Sequence, residues 1–87
     1  VKTPVPTRRE LALALAARLQ ARRRELRMPL RELAASTGVS LATAKGWVSA
    51  ARPQVPARAN RRRLCEVLWP GEAPEQRARE LFEAFFF

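Results

Sequence analysis

The chain has no histidine, no tyrosine, no aspartate and a single cysteine, Cys65. Several kinds of chemistry therefore lack their usual parts. A zinc site draws on several thiolates or imidazoles, a Ser-His-Asp or Cys-His system needs an imidazole base, and a two-metal nuclease needs its usual metal-binding side chains. One cysteine builds no disulfide framework. Glycine is scarce, and Gly38, Gly46 and Gly71 stand too far apart to form a phosphate-cradling loop. Long apolar runs are missing too. Nothing approaches the roughly 20 residues of a membrane-spanning helix, and the seven-residue apolar run at 11–17, bracketed by Glu10 and Arg18, is at the lower limit for the centre of a signal peptide. The expectation is a binding module and not an enzyme, with no cofactor, no metal, no small-molecule ligand and no membrane partner.

What is present is alanine, leucine and arginine, with no alternating β-branched run. That composition predicts an all-α protein, a compact bundle of about five helices. At 87 residues the chain is one small domain, near the size where a single core is marginal, so oligomerisation would help it. Charge is segregated. Fifteen Lys and Arg face three Glu up to Arg63, whereas two Arg face five Glu from Leu64 onward. A basic body with an acidic, apolar tail suggests a polyanion partner at one end and another task at the other. Nucleic acid fits this better than a membrane surface, which calls for a basic helix with a bulky apolar face.

The most informative stretch is residues 29–47, PLRELAASTGVSLATAKGW. Leu30, Leu33, Ala34 and Thr37 fall at i, i+3, i+4 and i+7, one face of a helix of about two turns. Gly38 ends it, supplying a left-handed backbone at no steric cost. Val39 can plug the corner. Ser40 is a good N-cap for a second helix in which Ala44, Trp47 and Val48 turn to the core. A turn this short holds the two helices at a steep angle and leaves one face of the second helix free.

Met28-Pro29-Leu30-Arg31-Glu32-Leu33-Ala34, then Thr37-Gly38-Val39-Ser40, then Trp47 and Arg52-Pro53 resemble the helix-turn-helix of the Cro/repressor (XRE-like) family, over roughly residues 28–53. Thr37 and Ala44 depart from the pattern, standing where that family prefers large aliphatics, which makes Trp47 the candidate to fill the space between the helices. The resemblance implies double-stranded DNA as partner, with the second helix in the major groove. Ser40, Leu41, Ala42, Thr43, Lys45 and Gly46 are then the candidates near base edges. Lys45 can bond guanine, Leu41 and Ala42 can pack on thymine methyls, and Gly46 permits close approach of backbone to DNA at a cost of about 1 kcal/mol of helix propensity. In the family the loop after this helix and the start of the next lie against the DNA backbone. That implies Arg52, Arg58, Arg61 and Arg62 as phosphate ligands.

Residues 1–6, with two prolines and Lys2, read as a flexible N-terminal arm able to touch a phosphate or the minor groove. Thr7 and Glu10 form a capping box that starts a long helix over residues 8–27, with Leu11, Leu15, Leu19, Arg22 and Leu26 on one stripe. The arginines at its end, Arg22 and Arg24 among them, exceed what a helix C-terminus requires and are further phosphate candidates. After the prolines at 53 and 56 a helix is expected over residues 57–69, with Cys65 in its core face.

The DNA-binding domain thus covers residues 7–69. Residues 70–87 carry a last helix opened by Pro74, whose apolar face holds Leu81, Phe82, Phe85 and Phe86. That face is expected either to join two copies into a homodimer on a palindromic site or to close the core of the monomer. The function implied is a transcriptional regulator, a phage- or plasmid-type repressor or Cro-like protein acting in the cytoplasm of a prokaryotic or phage-infected cell. Alternatives are the DNA-recognition module of a phage packaging or recombination machine and an antitoxin or anti-sigma-like interaction domain.

Overall fold

The computed structural model describes residues 5–85. The helices are α1 (Arg8–Glu25), α2 (Leu30–Thr37), α3 (Leu41–Trp47), α4 (Arg58–Leu68) and α5 (Pro74–Phe82), with a 3-10 turn, Glu83–Phe85, continuing α5. Among the described residues there is no strand, so the chain forms the all-α bundle of about five helices that its composition predicts. None of these helices is long and apolar enough to cross a membrane.

Local sequence explains where the helices start and stop. Thr7 accepts the Glu10 N–H at 3.1 Å and opens α1. The helix ends at Glu25, two residues before the expected limit, because Arg27 adopts a left-handed φ of 53°. The N–H groups of Arg27 and Met28 then turn back to the carbonyls of Arg24 and Arg23, both at 3.0 Å. A second closure of this kind follows α2. Gly38, at φ 74°, donates to Ala35, and Val39 donates to Ala34 at 3.0 Å, so the terminal carbonyls of α2 are satisfied as the chain reverses. Ser40 caps α3, and Pro74 sits in the first turn of α5.

Helix α4 is the central element, packed on α1, α2 and α5. Its Leu64, Cys65 and Leu68 are fully buried, and around them lie Leu15 and Leu19 of α1, Leu33 of α2, Trp47 of α3, Trp69, and Leu81 and Phe82 of α5. The buried stripe of α1 is Ala12, Leu15, Ala16 and Leu19, rotated from the expected one so that Leu11 is only half-buried. The two small residues, one on α2 and one on α3, are both buried. Thr37 is buried with its hydroxyl donating to the Leu33 carbonyl at 2.7 Å, Ala44 is fully buried, and the Trp47 ring supplies bulk to the core. Burial pushes the Cys65 thiol up to about 11, which suppresses the thiolate and leaves a small core residue.

Of the two readings of the α5 face, closure of the monomer core holds for two of its residues. Phe82 is fully buried and Leu81 nearly so, while Ala78 and Phe85 pack half-buried against the same cluster. Two of the four side chains named for a contact with a second copy, Leu81 and Phe82, therefore lie inside the protomer, because α5 packs on α4 and closes the core. Phe86, the fourth member of that set, and residues 1–4 of the arm lie outside the described residues.

Candidate functional site

Helix α3 has two unlike sides. Ala44 and Trp47 face the core, with Val48 half-buried beside them, whereas Leu41, Ala42 and Lys45 are exposed. Leu41 is 42% exposed and stands out as a large apolar side chain in water at the start of the helix. Ser40 and Thr43 form a local pair: the Ser40 Oγ accepts the Thr43 N–H at 3.1 Å and lies 2.9 Å from the Thr43 Oγ1. The pair has two hydroxyl hydrogens, and the single Oγ–Oγ1 contact uses one of them. One O–H therefore remains to donate outward. The solvent side of α3 thus offers an ammonium, one hydroxyl donor and two apolar groups.

Gly46 departs from its expected role. A Cβ built there would lie 2.5 Å from the Gln54 Oε1 and 2.8 Å from its Cδ, and the Gln54 N–H donates to the Gly46 carbonyl at 2.9 Å. The close approach that Gly46 permits is that of the following loop. Gln54, absent from the sequence-based set, occupies the place assigned to DNA. Because Gln54 is exposed, its side chain can swing away. Gly46→Ala should accordingly keep the fold within about 1 kcal/mol of the parent, helix propensity offsetting the displaced contact. Chemical unfolding checks this, and a loss above about 2 kcal/mol would mean that the Gln54 side chain is locked in place.

The loop over residues 48–57 carries the site across to α1. Arg52 donates its N–H to the Ser49 Oγ at 3.0 Å, and Pro56 is buried, so both ends of the loop are anchored. An open cleft of about 630 Å³ separates the loop from the start of α1, lined by Arg8, Arg9 and Arg52 with Ala12, Pro53 and Gln54 among its walls. Arg9 and Arg52 are exposed and form no ion pair among the described residues. The Arg8 guanidinium lies 5.7 Å from the Phe85 ring centroid. Arg24 is exposed along a groove shared with Val48 and Ala50.

The remaining arginines divide between structural and surface roles. Arg22 is removed from the phosphate set: its Nε donates to the Leu68 carbonyl at 2.7 Å, its Nη1 bonds Glu25 at 3.0 Å, and it lies over the Trp69 ring. It ties α1 to the end of α4. Arg61 is half-buried, donates its Nε to the Pro56 carbonyl at 3.0 Å and stacks on Phe82 at 4.9 Å. Burial, then the neighbouring charges of Arg58 and Arg8, lower its pKa. Arg58 and Arg62 are exposed near the start of α4, with Arg62 3.7 Å from Glu66 and 3.5 Å from Glu75. Arg63 bonds the Ser36 carbonyl at 2.9 Å and so fastens α4 to α2.

No protein-family model, curated protein or solved structure matches the chain. The site therefore has to be argued from its own geometry. Ser40, Leu41, Ala42, Thr43 and Lys45 share the outer side of α3, and Arg52 adjoins them through the loop that carries Gln54. The cationic groups beside that loop include Arg8 and Arg9, which are absent from the sequence-based set. Nothing local in the sequence links positions 8 and 9 to position 52. Their proximity follows from how α1 packs.

Proposed function

We propose that the chain binds double-stranded DNA with α3 in the major groove and acts as a transcriptional regulator of the Cro/repressor type. The observation that carries this reading is the split character of α3. Its inner side is locked into the core by Ala44 and Trp47, and its outer side presents Lys45, Leu41, Ala42 and one hydroxyl donor. The loop after α3 shares a cleft with the start of α1, and the Arg8, Arg9 and Arg52 that line it are suited to backbone phosphates. A side chain set this thin in hydrogen bonding discriminates few base pairs, so DNA shape and the charge of Arg8, Arg9, Arg24 and Arg52 carry much of the binding. With Leu81 and Phe82 inside the protomer, the reading needs one DNA-binding unit per copy, and the symmetry of selected sites reports how many copies bind.

The test is a salt titration on duplex DNA. Four to six phosphate contacts give a log–log slope of roughly −4 to −5. A binding constant nearly flat between low and physiological salt contradicts the proposal.

A further inference from the structure

Gly46 continues the outer side of α3. It follows the exposed Lys45 and stands one turn after the exposed Ala42, so a side chain there would share the Ala42 face of the helix. The Gln54 amide fills that space, with Oε1 and Cδ 2.5 and 2.8 Å from where the Cβ would stand. The Gln54 N–H on the Gly46 carbonyl, at 2.9 Å, fastens the loop backbone at the same point. A loop residue is thereby added to the surface of the helix. We propose that Gln54 reads an adenine edge in the major groove, a role that rests on α3 lying in that groove as proposed above. Gln54 is exposed, and its side-chain amide makes no hydrogen bond among the described residues, so its donors and its acceptor are available to a partner. An amide carries donor and acceptor side by side. Of the four bases, adenine alone presents a donor beside an acceptor at its major-groove edge, N6–H and N7; guanine shows two acceptors there, and a phosphate has no donor for Oε1. Gln54 also walls the cleft lined by Arg8, Arg9 and Arg52, whose guanidiniums are the stronger partners for phosphate. Lys45 has donors only, so the two side chains specify different bases.

The experiment is selection of bound duplexes from random sequence by the full chain and by its variants. The parent should enrich adenine at a position distinct from the one that relaxes in Lys45→Ala. Gln54→Ala should lose that adenine preference by about 5- to 150-fold, the worth of one bidentate pair, and keep the others. Gly46→Ala leaves the Gln54 side chain intact but sets a methyl where its amide lies, and should weaken the same preference. Gln54→Glu, which has acceptors only, should exchange adenine for cytosine at that position, a new preference that loss of the fold cannot produce. Sites that relax in Lys45→Ala but stay unchanged in Gln54→Ala and Gly46→Ala overturn the role of Gln54 and leave α3 in the groove. Gln54→Ala that binds every sequence more weakly with all preferences intact makes the amide a phosphate contact, which also overturns it. No enriched sequence from the parent overturns the groove reading and the adenine role together.

Discussion

Phe82→Glu should unfold the protein. Phe82 has no exposed surface and is the largest of the fully buried side chains, and its ring also supports the Arg61 guanidinium at the start of α4. Truncating a buried Phe costs about 3–5 kcal/mol, and placing a carboxylate in the space adds the penalty of an unpaired buried charge. A domain this small has a total stability on the order of 5–15 kcal/mol. The variant should therefore lose its helical circular dichroism at room temperature, and the milder Phe82→Leu should remain folded with a lower midpoint. If α5 were instead mainly a contact between copies, Phe82→Glu would give a folded monomer, visible as native helicity with halved mass in sedimentation.

The joint replacement of Arg8, Arg9 and Arg52 by alanine should lower affinity for every duplex alike. Each lost phosphate contact removes about 0.9 from the salt slope, so losing all three flattens it by roughly 2.7. At physiological salt, with non-specific binding already in the range of about 10⁻⁴–10⁻⁶ M, the triple variant should bind random duplex below detection. Arg22→Ala supplies the contrast. Its hydrogen bond to the Leu68 carbonyl and its place over Trp69 mean that alanine there should cost stability, about 1–3 kcal/mol, with the salt slope unchanged. A triple variant that keeps the parental slope would remove the cleft beside α1 from the interface.

The elements legible in the sequence were those written in short-range signals. The Thr7 cap, the Gly38 reversal, the Ser40 cap and Pro74 each act within a few residues, and the structure places helix ends beside them. The end of α1 was not legible, because Arg27 takes a left-handed φ that a non-glycine residue does not advertise. Arginine roles were the least legible of all. Arg22 and Arg63 look like surface charge in one dimension, yet each holds a backbone carbonyl of another helix, and only the packing of α1, α2 and α4 decides which carbonyl is in reach. Gly46 misled for a related reason. Its missing Cβ was referred to DNA, whereas the group that comes close is Gln54, eight residues along the same chain. The apolar face of α5 could be read as an interface or as a core, and burial of Leu81 and Phe82 puts those two side chains in the core.

The central proposal, that the outer side of α3 reads base edges, is tested most directly through Lys45. Duplexes selected from random sequence by the parent protein and by Lys45→Ala should be compared position by position. The account predicts that both select related sites, that preference relaxes at one base pair in the variant, and that the loss there is about 1–3 kcal/mol while flanking preferences persist. Identical selectivity in the two proteins, or no enriched sequence from the parent, would contradict it.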